Sequence, residues 1–233
     1  SYTVIPVLIV YGAVLFANRV RNWGRGTPDN RATTGKNAKR RFADFRTGVY
    51  MRTLLREPAA GAMHSLIYFP FLVLLAVTTV LEVNHQVPEG VKFLHGDTYR
   101  AFTAVGDVAG VLFLVGVVWA LARRYGPRRF RPYRIRTKSR PEHAAVLLVF
   151  LTIGITGFGT EAFRIALIDA SSRSAETWSV VGHPLATVVD RFGPLANHPA
   201  GWHQAWWAAH VTSLVRSEEH TSELQSRAYL VSR

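Results

Sequence analysis

The run from Ala59 to His85, AAGAMHSLIYFPFLVLLAVTTVLEVNH, leaves this chain few folds to choose from. Within it, Met63 to Val83 carries only two strongly polar side chains, His64 and Glu82. A hydrocarbon layer about 30 Å thick takes roughly 20 apolar residues at about 1.5 Å each, and this run supplies them. A helix buried in a soluble core has no need of such length. An imidazole inside a membrane span is costly unless it is hydrogen-bonded or bound to a metal, so His64 is a candidate functional residue from the outset.

Charge patterning extends the membrane reading to the whole chain. The 233 residues carry 28 Lys and Arg and a formal net charge of +13, an excess that suits either nucleic acid or the cytoplasmic face of a membrane. The basic residues fall in two blocks alternating with apolar runs, which excludes nucleic acid and selects the membrane. Arg19 to Glu57 holds eleven Lys or Arg and Arg123 to Pro141 holds nine, whereas the loops 84–100 and 169–201 hold two each. Positive residues favour the cytoplasmic side, so both basic loops are placed inside, the N-terminus outside, and the chain in a bacterial plasma membrane as a multi-pass protein.

Five apolar segments follow: Tyr2 to Ala17, the run above, Ala101 to Ala122, about Glu142 to Ile168, and one beginning near Trp202. The expected fold is all-α, a polytopic transmembrane helix bundle of five spans with the fifth truncated. It divides into a first transmembrane helix over 1–18, a cytoplasmic basic loop over 19–58, and four further transmembrane helices over 59–215. Within the basic loop, Phe42, Phe45, Val49 and Leu54 are spaced for an interfacial helix. Trp178, Trp202, Trp206 and Trp207 fall near the outer interface, where amphipathic rings settle.

The ends carry expectations of their own. The chain opens on Ser1 without a methionine, so a start further upstream is expected. Arg216 to Ser226, RSEEHTSELQS, resembles the conceptual translation of a short-read sequencing adapter, so 216–233 is expected to be a non-biological tail that cuts the fifth span short.

With no cysteine in the chain, any metal chemistry in this stretch must use histidine. A buried bis-histidine haem site needs two neutral imidazoles on different helices at one depth. The candidates are His64, His203 and His210. The last two lie seven residues apart and therefore on one helix face. Counted from the expected helix ends, His64 and His210 differ in depth by roughly 10 Å. The partner of His64 is therefore either His210 or a residue further along the fifth helix. His85, His95, His183 and His198 are expected in outer loops, and His143 in the first turn of a helix. Asp107, Glu161 and Arg164 are the other polar residues inside spans. Glu161 and Arg164, three apart, are expected to pair, the alternatives being an Arg164 contact to a haem propionate and quinol-proton relay by Asp107 or Glu161. Glycines 106, 110 and 116 in the third span, and 154, 157 and 159 in the fourth, are expected to mark close helix packing.

Four stretches are similar to a known family: MHSLIYFPFLVLLAVTTVLE in the second span, PYRIRTKSRPEH before the fourth, TGFGTEAFRIA within it, and HQAWWAAH in the fifth. Together they resemble the N-terminal membrane domain of actinobacterial heterodisulfide-reductase-like iron–sulfur reductases, itself similar to the gamma (cytochrome b) subunit of respiratory nitrate reductase. The resemblance covers about Arg41 to Val215. It implies a b-type cytochrome passing electrons between the quinone pool and a cytoplasmic iron–sulfur module, in the same or a partner chain. Its second and fifth helices supply haem ligands, which matches His64 and His210. Leu74 stands where the nitrate-reductase subunit has a second histidine on the second helix, so one haem b is expected and a second lacks that ligand. Quinone would be the substrate, and 4Fe-4S clusters would belong to a downstream part. Two rivals remain at this stage: a haem-free anchor for a cytoplasmic enzyme, and a transporter domain using Asp107, Glu161 and Arg164.

Overall fold

A computed structural model describes residues 34–49, 57–127, 141–168, 170–192, 195 and 197–214, with 10, 11, 13, 14, 16–18, 20 and 21. Most of the expected first span, much of the first basic loop, the basic stretch 128–140 and the tail 216–233 lie outside the described residues. Among those described the chain is helical, with no strand. It forms two units, 1–50 and 51–233.

The first unit contains helix α1, Gly35–Val49. Thr34 begins it, its hydroxyl accepting a hydrogen bond from the Asn37 amide at 3.4 Å. Phe42 and Phe45 are each 68% exposed, three residues apart on this helix; the Val49 side chain and Leu54, the other apolar residues of the expected interfacial helix, lie outside the described residues.

The second unit begins with α2, Pro58–Gln86, which has a proline in its first turn, where no intrahelical amide is lost, and Pro70 inside it. Helix α3 spans Gly96–Tyr125 and ends on Arg123 and Arg124, cations that suit the negative end of a helix dipole. Helix α4 spans Pro141–Ala166. A 3-10 segment, Ala170–Trp178, and helix α5, Gly182–Arg191, follow, then helix α6 over 199–214. Three helices among the described residues are long and apolar enough to cross a membrane: α2, α3 and, from His143 onward, α4. Of the five expected spans these are three; the first lies mostly outside the described residues, and the fifth corresponds to α6.

Helix α3 is the centre of the bundle, with 39% of its apolar stretch buried against 6% for α2 and 17% for α4. Phe113 is the hub, its ring 6.3 Å from that of Phe71 on α2 and 6.1 Å from that of Phe150 on α4. Glycine sets the spacing, as expected. A Cβ on Gly116 would stand 2.9 Å from the Leu66 backbone carbon, and one on Gly110 only 2.6 Å from the Phe158 ring. Gly154 likewise receives Leu114, and Gly159 lies directly under the Trp206 ring. Helix α6 thus packs on α4, where Phe163 stacks with Trp202 at 6.3 Å and with Trp206 at 6.4 Å.

The connections differ from open loops. Helices α2 and α3 extend beyond the expected span ends, and Asn84 Oδ1 closes the turn between them by accepting from the Phe93 and Leu94 amides at 3.0 and 3.1 Å. The segment after α4 is folded over the bundle end as the 3-10 segment and α5, where Asp107 of α3 accepts from the Val181 and Gly182 amides and Arg164 of α4 holds the Glu176 side chain.

Candidate functional site

His210 is held by α4. Its Nδ1 lies 3.1 Å from the Ile153 carbonyl oxygen and 3.1 Å from Thr156 Oγ1. A carbonyl can only accept, so this geometry assigns the proton to Nδ1 and leaves the Nε2 lone pair uncommitted. The Thr156 hydroxyl donates to the Thr152 carbonyl at 2.7 Å, which leaves its oxygen to accept from the same imidazole. Nε2 has no hydrogen-bond partner among the described residues. Anchoring one ring nitrogen on a carbonyl while the other stays open is the arrangement that orients a metal-ligating histidine. Gly157 keeps one flank of the ring clear: a Cβ there would reach to 3.4 Å of Cε1.

His64, on α2, is exposed at the surface of the unit and makes no hydrogen bond among the described residues. Arg123 and Arg124 at the end of α3 are near enough to act on it electrostatically. Helix contacts give its depth relative to His210. Gly110 meets Phe158 and Gly154 meets Leu114, so His210 is level with the middle of α3. Gly116 meets Leu66 and Ile67, and Gly106 meets Val77, which makes that level close to Pro70 on α2. His64 is therefore about six residues, or roughly 9 Å, nearer the Arg123 end. The offset expected from the sequence is retained. His203 is half-buried one α6 face-repeat from His210, on the side of Arg164. Among the described residues no group of three or more histidine or acidic side chains is placed to hold a metal ion.

Arg164 does not pair with Glu161. Its guanidinium forks onto Glu176 of the 3-10 segment at 2.9 and 3.1 Å, and the Tyr99 hydroxyl donates to the same carboxylate at 2.9 Å. Burial acts to raise the pKa of Glu176, but the Arg164 guanidinium and then the Tyr99 hydroxyl outweigh it and hold the carboxyl below the usual range. Glu161 instead faces Ser179, whose Oγ lies 3.1 Å from Glu161 and 2.9 Å from Asp107 Oδ2. Asp107, 1% exposed, also accepts from the Val181 amide at 2.7 Å and the Gly182 amide at 3.3 Å. A carboxylate from α3 thus caps the N-terminus of α5, whose own cap residue, Val181, has no oxygen to offer. Sequence reasoning missed Ser179, Glu176 and Thr156. The first two sit in what reads as a plain loop, and Thr156 reads as an ordinary span residue.

No protein-family model matches the chain, and no solved structure matches it. Over 183 residues, 76% of this chain, it is 26% identical to an EtfAB:quinone oxidoreductase of Syntrophomonas wolfei subsp. wolfei (strain DSM 2245B / Goettingen). The match covers 24% of that protein, so the chain spans about a quarter of the relative's length. The chain is thus similar to one part of a larger oxidoreductase.

Proposed function

We propose that this chain is a membrane cytochrome b-like domain that carries electrons between the quinone pool and an iron–sulfur reductase module elsewhere in the same or a partner chain. The observation that carries the reading is the imidazole of His210, fixed by α4 through Nδ1 and open at Nε2. The residues present fit a haem: His210 would hold it through Nε2 beside Gly157, in a bundle whose glycines already admit close flat contacts. When bound, haem iron supplies one-electron redox chemistry whose potential is tuned by axial ligand and burial. His64 is the second ligand candidate, and its depth supports a separate haem position rather than one shared with His210.

Two further points support the reading. Three helices of the right length and apolarity give the low-dielectric frame that such a carrier requires. The matched relative is named as a quinone oxidoreductase, which accords with a quinone as substrate here. The resemblance to the nitrate reductase gamma subunit assigns the same role to the helices bearing His64 and His210. Arg164, engaged with Glu176, serves in this reading to fasten the loop over the bundle rather than to meet a propionate. The basic stretches 19–57 and 123–141 would face the cytoplasm and dock the reductase module or anionic lipid.

The test is electron entry. A short-chain quinol added to the haem-loaded intact protein in nanodiscs should reduce its b-type haem within the mixing time of a stopped-flow instrument or shortly after. Haem that dithionite reduces but quinol leaves oxidised would contradict the quinone assignment.

A further inference from the structure

Helix α5 has more apolar surface than a loop helix covering a bundle end requires. At about 100° per residue, Gly182, Ala186 and Val189 fall within a sector of about 60°, and all three are buried against the bundle. Thr187 and Asp190 lie on one flank of that sector and are exposed. On the opposite flank, centred about 90° from the buried sector, lie Leu185 and Val188, with Phe192 at the end of the helix. These are 38%, 48% and 59% exposed. A helix resting on protein and otherwise bathed in water needs one apolar and one polar sector. This one has a second apolar sector, free of charge, with nothing from the unit covering it.

The rotation of α5 about its axis is fixed at both ends. Asp107 grips the amides of Val181 and Gly182. Arg173 contacts the Asp190 carboxylate, and it also donates to the Ala166 and Ile168 carbonyls at 2.8 Å each, so it ties α5 to the last turn of α4. The free stripe therefore points in one direction. At the same end of the bundle the rings of Phe93, Trp178 and Trp202 are also exposed, with Val180 beside them, which continues the apolar surface of the spans into a girdle of large rings.

We propose that α5 is an interfacial helix, lying in the headgroup and upper acyl region of the bilayer at the end of the bundle where α4 emerges, with Leu185, Val188 and Phe192 against lipid and Thr187 and Asp190 toward water. The occupant of the stripe is lipid because the stripe is uncharged, is continuous with the exposed apolar surface of the membrane-crossing helices, and is flanked by aromatic rings of the kind that settle at an interface. The proposal rests on the membrane placement of the bundle and not on haem binding, so the two stand or fall in separate experiments.

The chain has no cysteine, which makes single-site labelling direct. The 233-residue chain carrying L185C, V188C or T187C, each labelled with an environment-sensitive fluorophore, would be placed in phosphatidylcholine nanodiscs. Quenching by a lipid with a shallow acyl nitroxide should be at least twofold stronger at positions 185 and 188 than at 187. Quenching by aqueous iodide should show the reverse order. V180C, outside the helix, provides a second probe with the same expectation as 185, should labelling disturb α5. Iodide quenching at 185 and 188 equal to that at 187 would overturn the proposal in favour of a solvated loop. Shielding of 185 and 188 from both quenchers would overturn it in favour of a protein partner or a second copy.

Discussion

The bundle end beneath α5 and the mid-bundle contact of α6 with α4 both hold polar groups away from water, yet they complete them differently. At the bundle end two carboxylates are filled within the chain: Asp107 takes three donors, and Glu176 takes the Arg164 fork and the Tyr99 hydroxyl. At the mid-bundle contact, His210 has one nitrogen tied to Ile153 and Thr156 and the other left open. A polar group satisfied by its own chain contributes to stability, whereas one held rigid but half-satisfied is available to a ligand. The comparison therefore assigns the carboxylates to architecture and leaves the histidine available to the proposed haem.

The largest effect that could break this comparison is at Asp107. Asp107→Ala leaves two helix-terminal amides without their acceptor and the Ser179 hydroxyl with Glu161 alone, a loss of about 2–5 kcal/mol. Asp107→Asn keeps an acceptor and should cost about half as much. His210→Ala in haem-free protein removes one shared hydrogen bond and should cost only about 1 kcal/mol. Thermal unfolding in detergent, followed by circular dichroism, orders the three; equal losses at Asp107 and His210 would erase the distinction.

Gly182→Ala comes next. A Cβ there would stand 2.5 Å from Ser179 Oγ and 2.8 Å from the Glu161 carboxyl carbon, so the contact must open, at about 1–3 kcal/mol by the same assay. Arg164→Lys replaces a fork by a point charge and should cost about 1 kcal/mol while leaving haem content unchanged. A fall in haem content for that variant would instead make Arg164 a cofactor contact. The smallest effect is with pH. Glu176 has a folded-state pKa below its unfolded value, so its contribution is complete above about pH 4.5 and is lost as pH falls through the lower folded value. Emission from Trp178 and Trp202, at the same bundle end, should therefore stay constant down to about pH 4.5 and change only below it, and Glu176→Gln should abolish that change.

Much of the frame is legible in the sequence because unbroken apolar runs admit few alternatives: α2, α3 and α4 stand on the runs that Ala59, Ala101 and Glu142 open, with α3 lengthened by a few residues at each end and α4 ending two residues before Ile168. The glycine contacts were legible for the same reason. The covered bundle end was not. Glu176 and Ser179 act on partners 12 to 77 residues away, and no local periodicity reports such pairings. The i,i+3 spacing of Glu161 and Arg164 pointed to a pair, but a loop carboxylate that brings two oxygens to the guanidinium and also accepts from Tyr99 competes better than a helix neighbour. His210 was legible as a candidate from its depth, whereas its anchor on Ile153 and Thr156 depends on how α6 lies against α4.

The central claim is that His210 is a haem ligand, and a dithionite-reduced minus oxidised absorbance spectrum tests it most directly. Protein purified from haem-replete membranes should show the α band of a b-type cytochrome, reduced in amplitude or abolished in His210→Ala and shifted in Thr156→Val, which loosens the imidazole without removing it. A spectrum without that band, or a band unchanged in His210→Ala, would contradict the account.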